Sequence, residues 1–180
     1  IPSKLYTDEQ ILKIEKKNIF SKSWHLICSI DQISNPGDYK TMMINDQPII
    51  IIKDENNSIN AFYNVCQHRG CVLLDNDGNA KSLKCGYHGW VYDLNGNLKT
   101  ARGFDKQKIK IEDFSLKPVE HHVWMNLIFV KLQNECYDIK KTLTKIEKII
   151  SPIRFDQYSY HSRVSYKINC NWKIYMDNYL

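Results

Sequence analysis

The sequence predicts a mainly β protein, with an antiparallel β domain, a helix before it and the start of a second domain after it. Short β-rich runs separated by turn residues fill the middle of the chain. Apolar residues recur at helical spacing before this region and again after Cys136. We therefore predict four segments: a helical arm at 1–22, the β domain at 23–135, a linking helix at 136–155 and the start of a second domain at 156–180.

The N-terminal arm contains the sequence Thr7-Asp8-Glu9-Gln10, which matches a capping box. In such a box the Thr7 side chain bonds the amide of Gln10, and the Gln10 side chain reaches back to the start of the helix. Apolar residues follow at helical spacing as far as Phe20. We therefore predict a helix over residues 8–21.

The β domain is predicted from apolar runs that alternate with clusters of turn residues. The runs lie at 24–30, 39–44, 48–53 and 60–64, with a closing strand at 123–131. Between the last two runs, Asn95-Gly96 is the strongest short hairpin signal in the chain.

The chain returns to a helical period after the β domain. Apolar residues from Ile139 to Ile150 lie on one face of a predicted helix, and Ser151-Pro152 ends it. Val164, Tyr166 and Ile168 alternate with polar residues and predict a half-buried strand. Residues 171–180 then predict the opening of another helix.

Composition narrows the classes of function. The chain has 180 residues and a formal charge of +5, and no apolar run approaches the roughly 18 residues of a membrane span. Lysine runs at 13–22 and 140–148 indicate solvated helix faces rather than a nucleic-acid surface, with docking of an acidic redox partner as the alternative. The six cysteines lack the spacing of a small disulfide scaffold, and the N-terminus lacks a secretory signal. We therefore predict a cytoplasmic protein with no membrane or nucleic-acid partner.

Two short motifs point to a metal centre. Cys66-Gln67-His68 and Cys85-Gly86-Tyr87-His88 each supply one thiolate and one imidazole. In a Rieske [2Fe–2S] cluster one iron takes two cysteines and the other takes two histidines. A loop that offers one ligand of each kind suits that division, so Cys66, His68, Cys85 and His88 are the predicted cluster ligands.

Two alternatives to the cluster stay open. Structural zinc also accepts two cysteines and two histidines, although its chelating pairs are usually two to four residues apart. The single residue between Cys66 and His68 is short for such a pair. In the other alternative the histidines are core or surface residues and the cysteines are free thiols.

Residues 61–70 (AFYNVCQHRG) and 85–93 (CGYHGWVYD) resemble the two cluster-binding segments of Rieske non-haem iron oxygenase α subunits. Rieske proteins of the cytochrome bc type carry an additional cysteine in each loop and join the two in a disulfide. Cys71 stands at the first of those positions, but Tyr87 stands at the second. The resemblance therefore favours the oxygenase type, with Cys71 as a small buried residue.

The C-terminal residues 170–180 (CNWKIYMDNYL) resemble the Asn-Trp-Lys segment that opens the oxygenase catalytic domain. The resemblance implies a Rieske-type β sandwich followed by an α+β, helix-grip domain that carries a mononuclear Fe(II) site. The ligands of that iron are expected only in the full-length protein, so the chain is expected to be an incomplete fragment. Asp177 and Asn178 match family positions near the iron.

The resemblance implies an oxygenase that hydroxylates or demethylates a small organic substrate with O₂ and electrons from NAD(P)H. It implies a flavin-dependent reductase as a partner, sometimes with a ferredoxin, and a homo-oligomer, typically a trimer. The substrate would be a choline- or betaine-like quaternary amine or an aromatic compound, with the former slightly favoured. A free-standing Rieske ferredoxin is the alternative, although such a carrier resembles only residues 24–133.

Overall fold

The computed structural model describes residues 2–104 and 110–179 of the chain. Ten strands and four α-helices lie within these ranges, and short 3₁₀ turns connect several of them. The helices are α1 Lys4–Thr7, α2 Glu9–Asn18, α3 Ile139–Ile150 and α4 Trp172–Asp177. The strands are β1 Trp24–Ser29, β2 Asp38–Ile44, β3 Gln47–Lys53, β4 Ile59–Tyr63, β5 Gly78–Asn79, β6 Leu83–Lys84, β7 Val91–Tyr92, β8 Leu98–Thr100, β9 Glu120–Trp124 and β10 Leu127–Lys131.

The strands form three antiparallel sheets. Their orders are β1-β10-β9, β4-β3-β2-β5 and β6-β7-β8. Consecutive strands joined by short turns make most of the pairings, as expected for antiparallel sheets. The predicted mainly β, antiparallel fold is therefore confirmed.

Strand β3 is shared by two hydrophobic cores. Successive side chains of a strand point to opposite faces, so Ile50 and Ile52 enter one core while Ile49 and Ile51 enter the other. All four are fully buried. Burying an isoleucine completely contributes roughly 1.5–3 kcal/mol to stability. This strand therefore joins β1 and β10 on one side to the sheet of β6, β7 and β8 on the other.

The N-terminal arm differs from the predicted single helix, and the predicted capping box is wrong. Thr7 lies in the last turn of α1, where its hydroxyl donates to the Ser3 carbonyl at 3.3 Å. Asp8 caps α2 instead, because its carboxylate accepts the Gln10 amide at 2.8 Å. Helix α2 then ends at Asn18 and a 3₁₀ turn over Phe20–Lys22 leads into the sheet.

The predicted hairpin is confirmed, whereas the predicted closing strand is wrong. Asn95-Gly96 forms the turn between β7 and β8, with Gly96 at φ +80°. The run at 123–131 contains a second turn, because Met125 adopts a positive φ of 52° and breaks it into β9 and β10.

Beyond β10 the predicted helix is confirmed as α3, with Ile139 and Leu143 buried. The predicted strand at Val164–Ile168 is wrong. In the described part of the chain this segment has no strand partner, and Val164, Tyr166 and Ile168 are 70%, 82% and 56% exposed. Alternation alone cannot form a strand, because the backbone groups also need a neighbouring strand to bond. The helix predicted from residue 171 is confirmed as α4.

None of the helices in residues 2–104 and 110–179 is both long enough and apolar enough to span a bilayer. The boundaries of the four predicted segments remain predictions.

Candidate metal centre

Two loops bring the predicted ligands together. Cys66 and His68 follow the end of β4, and Cys85 and His88 lie between β6 and β7. Both cysteines are only 1% exposed and belong to the core that β3 shares with the sheet of β6, β7 and β8. The histidines are half-buried. The sulfur atoms therefore face the interior, and the imidazoles lie nearer the surface.

The two loops are built on the same backbone pattern. The Cys66 amide donates to the Cys71 carbonyl, and the Gly70 amide donates back to the Cys66 carbonyl, at 2.8 and 2.9 Å. In the second loop the same two bonds join Cys85 with Trp90 and Gly89, at 2.8 and 3.0 Å.

Each loop needs a glycine at the equivalent place. Gly70 has φ +73° and Gly89 has φ +72°, a region that glycine enters without steric cost. Backbone bonds and these two glycines together fix where each loop presents its cysteine.

Three sulfur atoms converge between the loops. The Sγ atoms of Cys66, Cys71 and Cys85 all lie within 4.8 Å of one another. Cys71 is half-buried, and its Sγ is 3.2 Å from that of Cys85. The sequence prediction treated Cys71 only as a small buried residue and missed this contact. Its position one residue after Gly70, in the loop that holds a predicted ligand, was the available signal.

The imidazoles of His68 and His88 lie side by side, with ring centroids 4.7 Å apart and planes at 68°. Trp90 stacks on His68 at 4.7 Å and 10°, and Phe104 meets the same ring edge-on. Tyr87 packs against His88 with its ring centroid 3.8 Å away. Aromatic side chains therefore fix both rings and cover part of their surface.

The Nδ1 atom of His88 is buried and makes no hydrogen bond within the described residues. Burying a polar atom without a partner costs free energy, and a metal–nitrogen bond would remove that cost. This orphaned nitrogen lies beside a second imidazole, on a loop that also presents the buried sulfur of Cys85, and so fits the donor set of a Rieske cluster.

The surroundings change the pKa values of the ligand groups. Burial raises the pKa of the Cys66 thiol, although the Tyr92 hydroxyl, 3.4 Å from its sulfur, acts in the opposite direction. Burial also disfavours the Cys85 thiolate, but hydrogen bonds from Cys71 and from the amides of Tyr87 and His88 outweigh it, so the Cys85 pKa is lowered.

The pKa of His68 is lowered by burial and then by the neighbouring charges of His88 and Arg69. A neutral imidazole is the form that binds a metal. The environment of His68 therefore favours its use as a ligand.

The structure places at the end of α4 the two residues that are predicted to lie near a second iron. Asp177 is the last residue of α4, and Asn178 caps that helix. Both are exposed. The Tyr6 hydroxyl donates to Asp177 at 2.9 Å, and this bond is the main reason why the pKa of Tyr6 is raised. The role of Asp177 and Asn178 stays a prediction.

Comparison with known proteins supports the same interpretation. Residues 23–115 match the Rieske [2Fe-2S] domain family. The chain is 31% identical to the chloroplastic choline monooxygenase of Arabidopsis thaliana, covering 99% of this chain and 45% of that protein. It is also 31% identical to the carnitine monooxygenase oxygenase subunit of Escherichia coli strain K12, covering 100% and 49%.

A solved structure of a quaternary ammonium Rieske monooxygenase superposes with a TM-score of 0.90 at 30% identity, covering 99% of this chain and 50% of that one. That structure is described as giving insight into carnitine oxidation and inter-subunit electron transfer. The chain spans about half the length of these relatives. From the match over residues 23–115, together with the two paired Cys/His loops, we conclude that the chain belongs to the Rieske [2Fe-2S] domain family.

Proposed function

We propose that this chain is the electron-accepting Rieske part of an oxygenase, with a [2Fe–2S] cluster held by Cys66, His68, Cys85 and His88. The proposal rests on two pairs of side chains from the same two loops. The buried sulfurs of Cys66 and Cys85 lie within 4.8 Å of each other, and the imidazoles of His68 and His88 are adjacent, with an orphaned Nδ1 on His88. When bound, such a cluster accepts and passes on one electron at a time.

The protein's own residues then have separate tasks. The core around Cys66 and Cys85 excludes water from the sulfur side. The half-buried His68 and His88 place the other side near the surface, where an electron can enter or leave. Trp90 holds His68 in place by stacking on its ring, and Tyr87 packs against the ring of His88 at a tilt of 36°.

The segments outside the β domain favour an oxygenase over a free-standing ferredoxin-like carrier. Helix α4 packs against the N-terminal arm. The side-chain amide of Asn171 donates to the Tyr6 carbonyl at 3.0 Å. Trp172 packs edge-on against Phe20. A ferredoxin needs neither segment. The oxygenase relatives, in contrast, match the chain from the arm through α4.

The rest of the proposed activity follows from the relatives. Electrons from NAD(P)H would come through a flavin-dependent reductase, with or without a ferredoxin, and the complete enzyme would use O₂ at a mononuclear iron. Because inter-subunit electron transfer is described for one related structure, we propose a homo-oligomer, a trimer by family resemblance. A cytoplasmic location belongs to the same proposal.

The proposed substrate is a quaternary amine, because two relatives are named choline and carnitine monooxygenases. Aromatic-ring hydroxylation is the alternative that the sequence resemblance leaves open. Binding assays of the full-length protein with choline, carnitine and a simple arene would show which of the two substrate classes it takes.

Anaerobic purification with iron and sulfide tests the proposed centre. We expect a red-brown protein with about two irons and two acid-labile sulfides per chain, and a rhombic EPR signal after reduction. About one zinc per chain without inorganic sulfide would refute the proposal and favour the zinc alternative. Reduction of the centre by NADH through a flavoprotein reductase would support its role as an electron acceptor.

A further inference from the structure

Cys71 lies at the metal centre although it is not one of the four predicted ligands. Its carbonyl accepts the Cys66 amide at 2.8 Å, and a bridge between Val65 and Val72 closes the loop around both residues. This backbone arrangement directs the Cys71 side chain across to the other loop. Its Sγ lies 3.2 Å from that of Cys85.

The two predicted ligand sulfurs each have one side-chain neighbour that can donate a hydrogen bond. The Tyr92 hydroxyl lies 3.4 Å from Cys66 Sγ, and the Cys71 thiol lies beside Cys85 Sγ. A ligand thiolate can only accept, whereas a thiol outside the ligand set carries an S–H that can donate. The direction of the Cys71–Cys85 bond is therefore fixed once Cys85 is a ligand.

The three cysteines outside the two loops lie away from the predicted ligand sulfurs. Cys28 lies in the other hydrophobic core, Cys136 donates to the Gln133 carbonyl at 3.1 Å, and Cys170 is exposed. Among the described cysteines outside the ligand set, Cys71 is thus the one that contacts a predicted ligand.

We propose that Cys71 is a positioning residue whose S–H donates to Cys85 Sγ and raises the reduction potential of the Rieske cluster. The inference rests on the proposed function, because it requires a cluster bound through Cys85. A hydrogen bond to a ligand sulfur withdraws negative charge from it and so favours the reduced, more negative cluster. Cys71 performs for Cys85 what the Tyr92 hydroxyl performs for Cys66.

The test is a redox titration of the cluster-loaded protein, followed by EPR and circular dichroism, on four variants. Cys71→Ala and Cys71→Val remove the donor, and Val also fills the space that the thiol occupies. Cys71→Ser keeps a donor. Cys136→Ala is the matched control, because Cys136 is half-buried like Cys71 but bonds a backbone carbonyl.

We expect Cys71→Ala and Cys71→Val to lower the ratio of reduced to oxidised cluster at fixed potential about threefold or more. This corresponds to roughly 28 mV at 59 mV per tenfold for a one-electron couple. Cys71→Ser should stay at the wild-type potential or above it, and Cys136→Ala should not shift it.

An unchanged potential in Cys71→Val, or equal shifts in the Ser and Val variants, would overturn the inference, since the effect would then not come from donation. If Cys71→Ala does not bind a cluster, the comparison of the potentials of Cys71→Ser and Cys71→Val still tests the inference. Iron and sulfide analysis of the wild-type protein distinguishes a failure of the proposed function from a failure of the role of Cys71. A wild type without a cluster overturns the proposed function as well, whereas a loaded wild type with insensitive variants overturns the role of Cys71 alone.

Discussion

Glu15 in α2 and Lys173 in α4 form a largely buried ion pair, with the carboxylate and the ammonium 2.6 Å apart. The same carboxylate accepts the indole N–H of Trp172 at 2.9 Å. The partners lie 157 and 158 residues apart in sequence. The N-terminal arm is therefore fastened to the segment that follows the β domain.

Replacing Glu15 by Gln should lower the melting temperature clearly, because Lys173 would keep its charge in a site with little access to water. Thermal unfolding followed by circular dichroism measures the loss. Glu135→Gln is the matched control, since Glu135 forms an ion pair with Lys22 in which its own side chain is 74% exposed. Exposed pairs contribute little, so equal losses in both variants would contradict the assigned role of Glu15.

The Glu15 contribution should also depend on pH. The hydrogen bond from Lys173, and then that from Trp172, hold the pKa of Glu15 below its ordinary value of 4.5. A carboxylate with a lowered pKa stabilises the fold fully above its unfolded pKa and loses that effect as the pH falls through the folded pKa. The difference between wild type and Glu15→Gln should therefore be constant near neutral pH and shrink below 4.5. A difference that grows on acidification would contradict this linkage.

Tyr92→Phe should lower both the stability and the reduction potential of the loaded protein. The Tyr92 hydroxyl accepts the Gln67 amide at 3.0 Å and lies 3.4 Å from Cys66 Sγ. Leaving the part-buried Gln67 amide unpaired costs about 1 kcal/mol, and a lost bond to a ligand sulfur lowers the potential. Denaturant unfolding and redox titration measure the two effects. The control is Tyr63→Phe, whose hydroxyl bonds the Leu132 carbonyl at 3.1 Å and which should leave the potential unchanged.

His68→Cys tests the ligand assignment directly. A thiolate in place of an imidazole adds negative charge to the centre, so the EPR spectrum should change and the potential should fall. His122→Cys is the control, because His122 lies on β9 beside Trp24, with ring centroids 6.3 Å apart. An unaltered spectrum in His68→Cys would mean that His68 is not a ligand.

Gly96→Ala should destabilise the fold more than Gly103→Ala. Both glycines have positive φ, 80° and 86°, where an alanine costs roughly 1–2 kcal/mol. A Cβ at Gly96 would in addition lie 2.6 Å from Cε1 of the buried Phe62, whereas nothing lies within 4 Å of one at Gly103. Overpacking of that kind adds about 1–3 kcal/mol. Equal losses of unfolding free energy in the two variants, measured by denaturant unfolding, would show that the Phe62 side chain can move aside without cost.

Local signals allowed much of the β domain to be predicted. The Asn95-Gly96 turn depends on the conformations open to its two residues, so the sequence identifies it without tertiary information. Helix α3 follows in the same way from its apolar period. The turn at Met125 escaped prediction, because methionine carries no preference for positive φ.

Features that depend on distant segments could not be predicted. The place of Cys71 against Cys85 follows from the approach of two loops, and the Glu15–Lys173 pair from the return of the chain to its N-terminal arm. The alternation at 164–168 indicates a strand only where another strand is available to pair with it.

The matching backbone bonds of the two cluster loops have a consequence for which loop positions can vary. Each loop is closed by amide–carbonyl bonds and by one glycine in a left-handed conformation. Because main-chain atoms form this closure, a change of side chain at most other positions of a loop leaves its frame intact, whereas the two glycines admit no substitute without strain.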